Sequence, residues 1–232
     1  MRVDGVALIT SRRSGTGHLL ALLRNFEAVA VCDGLFDAGT GDPGVQLDRS
    51  EAEARAAGRS LLVVRVTPEL PRATLERDVL DRTGMRAVFV LRRSIDTYVS
   101  LAKATALNAF RDRDLTGVKV KLDAGHFAAW LDEQADWYAH WKDWLERRAF
   151  PVPVLRYETH IMGLPADTVL RRFAATVAQV GLTVRVPPVL LHAGLVRQDR
   201  SRAIALKVRN WSDFSRGLVE RGIEKRAFGY PF

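Results

Sequence analysis

Between a short apolar run and a helical pattern lies Thr10-Ser11-Arg12-Arg13-Ser14-Gly15-Thr16-Gly17, followed by His18. These residue types suit the holding of an anion. Backbone N–H groups at a helix N-terminus point at one spot and carry partial positive charge. Gly15 and Gly17 let the backbone approach a phosphate, Ser14 and Thr16 add hydroxyl donors, and Arg13 adds a full charge. The stretch matches neither G-x-x-x-x-G-K-[ST] nor G-x-G-x-x-G, which argues against an ATP or GTP hydrolase and against a dinucleotide enzyme. Taken alone, it also fits a Ser/Gly turn that merely caps a helix.

A second constellation follows the apolar run 87–91. Arg92 closes that run, Ser100 lies eight residues on, and Asp96 sits between them. Arginine and serine are good phosphate partners, and Asp96 suits the first turn of a helix and can orient Arg92 or Arg93. An arginine at a strand end beside a helix-packed serine is equally an ordinary structural feature. His126, His140, His160 and His192 are scattered without metal-ligand spacing and read as structural. Cys32 is the only cysteine, which excludes an intrachain disulfide and a cysteine metal cluster.

The elements that must carry these residues follow from periodicity. Apolar runs at 6–10, 28–32, 61–64, 87–91 and 151–156 predict strands, and amphipathic spacing predicts helices over 18–25, 72–82, 95–107, 127–148, 168–180 and 211–221. Ser50 is the expected cap of a further short helix, after a Gly- and Pro-containing loop over 33–48. Residues 108–125 read as irregular and basic, and the pattern weakens into a basic tail from about 187. Trp130, Trp137, Tyr138, Trp141 and Trp144 share the long helix and are expected to pack the core. Tyr138 with Trp141, or Trp137 with Trp141, could instead stack on a sugar. Continuous apolar strands alternating with amphipathic helices predict an α/β fold, a parallel sheet flanked by helices, in a single domain over 1–232. Ligands bind beyond the carboxyl ends of such strands, where Arg13 and Arg92 fall.

A formal charge of +8 and a pI near 10.1, carried mostly by arginine, predict anionic partners or a solvated basic surface. No run approaches the ~20 apolar residues that span a bilayer. With the single cysteine and no apolar leader at the start, the expectation is a cytoplasmic protein.

Together the two constellations resemble the sulfotransferases that use 3′-phosphoadenosine 5′-phosphosulfate (PAPS). Arg13-Ser14-Gly15-Thr16, with Thr10 before it, matches that family's 5′-phosphosulfate loop. Arg92 and Ser100 match the pair that holds the 3′-phosphate, and Asp96 also falls at a family position. Tyr157-Glu158 after the last strand matches a further pair, and the long aromatic helix is most similar to the bacterial carbohydrate-type branch. Arg12 and Ser94 depart from it, standing where proline is usual, and His18 stands where some members stack an aromatic on adenine. The resemblance implies a P-loop-like sulfotransferase fold and sulfuryl transfer to a hydroxyl of a small molecule or glycan, with no metal. It implies nucleotide contacts from Arg12, Arg13, Ser14, Gly15, Thr16, Gly17, His18, Arg92, Ser100, Tyr157 and, in the tail, Arg209. It makes Arg13 the stabiliser of the leaving group. In the carbohydrate-type branch a carboxylate after strand two is the base, which points to Asp33, then Asp37, with Glu69 after strand three behind them.

Two rival readings stay open from the sequence. A divergent P-loop nucleotide kinase or phosphotransferase needs a loop lysine and Mg²⁺ ligands, and neither is evident. A basic nucleic-acid-binding protein needs arginines grouped on one surface with exposed aromatics, whereas these arginines are spread along the chain.

Overall fold

The β-branched and leucine-rich runs form a five-stranded, wholly parallel sheet in the order β2-β3-β1-β4-β5. The computed structural model describes residues 2–33, 41–69, 71–110, 113–186, 199, 201 and 203–232. The strands are β1 (Asp4–Thr10), β2 (Val29–Cys32), β3 (Leu61–Val66), β4 (Met85–Leu91) and β5 (Val154–Arg156). β1 is central and pairs with both β3 and β4, with Thr10 opposite Val90 at its carboxyl end. The chain leaves β1 toward β2 on one side and leaves β4 toward β5 on the other. Sheets with such a reversal usually bind ligands beyond the carboxyl ends of the strands where it occurs.

The described residues form two compact units: one of 1–11, 15–91 and 143–194, the other of 12–14, 92–142 and 195–232. The first holds the sheet with α1 (Thr16–Leu23), α2 (Pro43–Ala56), α3 (Arg72–Leu75), α6 (Tyr157–His160) and α7 (Ala166–Ala178). Val6, Leu8, Val63, Val88 and Val90 pack against Leu19, Leu22 and Leu23 of α1 and Leu170, Phe173 and Val177 of α7. Ala7, Ile9, Val64 and Phe89, which alternate with them along the strands, are equally buried, so both sheet faces are covered.

The second unit contains α4 (Ser94–Ala106), a 3₁₀ turn (Ile204–Lys207), α8 (Trp211–Glu220) and α9 (Glu224–Phe228). The long helix α5 (Ala124–Arg147) belongs to it up to Lys142. Ile95, Val99, Phe127, Leu131, Phe214 and Leu218 form its core. Val120 bridges Val208, and the Asn210 amide holds both the N–H and the C=O of Leu122, at 3.0 and 2.8 Å. The tail beyond 203 is therefore tied into structure and ends in a helix, α9, that the sequence pattern does not announce.

Two further elements depart from the expected pattern. Ser50 does not cap α2 but lies inside it. The cap is Asp42, whose carboxylate accepts from the Val45 N–H at 3.1 Å, with Pro43 in the first turn. The helix expected over 72–82 is α-helical only to Leu75 and then widens to a π-helical turn, Glu76–Leu80. Trp137, Tyr138, Trp141 and Trp144 are buried, as expected for core packing rather than sugar stacking.

Candidate functional site

The loop after β1 turns sharply because two of its residues adopt left-handed backbone. Gly15 has φ 85°, and Arg13, which carries a Cβ, has φ 69°. A non-glycine residue in that region costs of order 1–3 kcal/mol and persists only where surrounding bonds enforce it. Those bonds are present in the second unit. Arg92 donates from Nη1 to the Arg13 carbonyl at 2.7 Å. The Arg13 side chain donates from Nε to Ser100 Oγ at 3.0 Å and from Nη1 to the Phe110 carbonyl at 2.7 Å. Arg13, Arg92 and Ser100, chosen from motif and spacing, thus form one hydrogen-bonded network. The resemblance assigned Arg13 and Ser100 to opposite ends of a nucleotide, whereas here they bond directly to each other.

Within the first unit, Gly15 caps α1 without any side-chain hydrogen bond, and the first turn of α1 contains no acidic residue. The positive end of this helix therefore lacks the usual side-chain neutralisation. Gly15 also needs its missing side chain for space: a Cβ there would overlap the ring of Tyr157. This explains why Tyr157 belongs with the loop although it lies far along the chain. Thr10 and Thr16 are buried and joined hydroxyl to hydroxyl at 2.9 Å, and Thr10 also donates to the Val90 carbonyl at 3.3 Å. A Cβ at Gly17 would meet open space, so that glycine leaves room without a local steric need. His18 is half-buried, and burial lowers its pKa. Ser14 is buried and Arg12 exposed.

The second unit holds charge that spacing alone did not single out. Lys103 and Lys207 are almost wholly buried and share Asp199 Oδ2 at 2.7 and 3.5 Å. Lys103 also donates to the Leu115 carbonyl at 3.3 Å. Burial lowers the Lys207 pKa; Asp199 and Asp96 oppose that shift, and the charges of Arg92 and Lys103 add to it. Burial pushes Asp199 up, but the bond from Lys103 and the charge of Lys207 outweigh it and hold the carboxyl below its ordinary range. Asp96 pairs with Arg93 at 2.7 Å. A signal for Lys103 did exist: it continues the buried stripe Ile95, Val99 on α4.

The candidate bases differ in their surroundings. Asp33 carries Arg65 Nε at 3.1 Å and Arg24 at 3.6 Å on its carboxylate, and its carbonyl accepts from Arg65 at 3.0 Å. Asp37 lies outside the described residues. Glu69 is exposed in the turn after β3. Arg209 is exposed and donates from Nε to the Lys119 carbonyl at 3.1 Å. His160 accepts from the Arg156 N–H at 2.9 Å, a structural role at the start of α6.

No described helix is long and apolar enough to cross a membrane. Among the described residues, no group of three His, Cys, Asp or Glu is placed to hold a metal ion. Compared with protein-family models, curated proteins and solved structures, the chain matches none.

Proposed function

We propose that this chain moves a sulfuryl group from PAPS to a hydroxyl of a small molecule or glycan. The observation that carries the reading is the network of Arg92, Arg13 and Ser100, which gathers both phosphate motifs through bonds of 2.7 and 3.0 Å. The buried lysines Lys103 and Lys207 support it, because a nearby phosphate would add to the compensation that Asp199 gives them. The parallel sheet, with loops opening beyond β1 and β4, is the architecture the reading requires.

In this reading the α1 N-terminus, Ser14, Gly15, Thr16 and Gly17 hold the 5′-phosphosulfate, with Arg12 and His18 at its margin. Arg92 and Ser100 hold the 3′-phosphate, and Arg209 joins them from the tail. Tyr157 fixes the loop by filling the space above Gly15. The bound donor supplies a sulfuryl group whose S–O bond to the 5′-phosphate breaks as the acceptor oxygen bonds to sulfur. Such transfers run on positioning and charge stabilisation rather than covalent catalysis. Arg13 stabilises the charge left on the bridging oxygen, exchanging its bonds to Ser100 and Phe110 for that role. The acceptor proton goes to a carboxylate. Asp33 serves once Arg65 withdraws, and Asp37 and Glu69 are the alternatives. The reading needs no metal and no nucleic-acid partner, and assigns the chain to the cytoplasm.

Thermal denaturation with added nucleotide tests it. A ligand at a hundred times its Kd stabilises the folded state by about 2.7 kcal/mol, roughly 5–10 °C for a chain of this size. Adenosine 3′,5′-bisphosphate is expected to raise Tm by that order, and ADP or ATP–Mg²⁺ by far less. Equal shifts would favour a kinase, and no shift with the bisphosphate would remove the proposal.

A further inference from the structure

At the opposite end of β4 from Arg92, the first unit contains a cavity of about 160 Å³. We propose that it binds a small carboxylic acid built on one aromatic ring, independently of the nucleotide reading. A dry apolar cavity of ~150 Å³ takes a benzene-sized ligand. Leu80, Met85, Ala87, Leu145 and Val180 supply the apolar lining.

The aromatic side is preorganised. The Trp144 indole N–H donates to Glu76 Oε1 at 2.7 Å, and the Arg148 guanidinium lies 3.9 Å from the ring centroid. Arg148 also pairs with Glu76 at 3.0 Å, so that carboxylate is already neutralised. Glu76 opens the π-helical turn and Leu80 closes it, and such turns recur at functional sites. Phe150 faces Trp144 with centroids 6.4 Å apart and remains half exposed. It is set there by Ala149, whose φ of 54° occupies the left-handed position that glycine usually fills after a helix.

The polar side is equally specific. Gly84 O accepts from Gly5 and Phe89 N donates to Pro153, so alternate residues of β4 face β1 and β5. Pairing with β5 begins only at Phe89. The N–H and C=O of Ala87 therefore point to the unpaired edge that the cavity occupies. Arg86 lines the same cavity, is exposed, and forms no ion pair among the described residues. A backbone donor beside an uncompensated guanidinium selects a carboxylate.

Titration of ¹⁵N-labelled protein with benzoate, followed at the indole resonances and assigned with Trp144→Phe, tests the site. Benzoate is expected to move the Trp144 indole signal in a saturable way. Benzamide and Arg86→Gln should each bind about 10-fold more weakly. Val180→Phe, which fills the cavity, should abolish the shift. No saturable shift would overturn the proposal. So would equal binding of benzoate and benzamide, or binding that survives in Val180→Phe. Should Val180→Phe fail to fold, Arg86→Gln, at an exposed position, still decides the question.

Discussion

The two compact units bury different things. Every charged residue that is buried among the described residues (Asp96, Lys103 and Lys207) belongs to the second unit. The first unit buries aliphatic strands, and its buried polar side chains are neutral hydroxyls such as Thr10, Thr67 and Thr176. Buried charge is a poor way to gain stability, because desolvation offsets much of the attraction. An apolar sheet needs no further explanation. Buried lysines need a partner, and Asp199 supplies one to both Lys103 and Lys207. The first unit buries an apolar frame, and the second buries charge.

The largest expected effect separates frame from charge. Phe89→Ala empties a fully buried position at the centre of the sheet and should cost about 3–5 kcal/mol in urea unfolding, with little dependence on salt. A cost under about 1 kcal/mol would show that the sheet is not the frame. Next comes Asp199→Asn, which leaves Lys103 and Lys207 without their shared carboxylate and should cost roughly 3 kcal/mol. Here the loss should shrink when adenosine 3′,5′-bisphosphate or sulfate is added. An identical loss with and without anions would break the comparison.

Smaller effects sharpen it. Gly15→Ala combines the φ of 85° with overlap on Tyr157 and should cost about 1–3 kcal/mol and reduce nucleotide affinity in parallel. Gly17→Ala, which meets open space, should leave stability within about 1 kcal/mol. The smallest effect is a pH dependence. Burial lowers the His18 pKa below its ordinary 6.5, so between the two values the unfolded chain binds more protons than the folded one. Stability should therefore fall as pH drops through 6.5 toward the folded value, then stop responding to this group. His18→Gln should flatten that part of the Tm–pH curve. An unchanged slope would contradict the burial of the ring.

Much of the frame was legible because a fully buried parallel strand reads as an uninterrupted apolar run, as in 6–10 and 87–91. The loop was legible because strand, glycine and helix occur in that order. What escaped depends on partners distant in sequence. The fit of Gly15 under Tyr157 and the bond of Arg13 to Phe110 leave no local trace, and Asp42 outcompeted Ser50 as a cap because Pro43 presets the first turn. Glu76, which opens the π-helical turn, bonds Trp144 and Arg148 far along the chain. Lys103 follows Ile95 and Val99 at four-residue spacing on α4, a buried stripe whose charged member depends on the distant Asp199.

Calorimetric titration of the wild-type protein and Arg92→Ala with adenosine 3′,5′-bisphosphate and with adenosine 5′-monophosphate tests the central claim most directly. Loss of one partner from a hydrogen-bonded phosphate–guanidinium pair costs about 2–5 kcal/mol, so the wild type should prefer the bisphosphate by at least ~30-fold. In Arg92→Ala that preference should collapse, with a smaller loss for the monophosphate through the bond from Arg92 to the Arg13 carbonyl. Equal affinity of the wild type for both nucleotides, or a preference that survives in Arg92→Ala, would contradict the account.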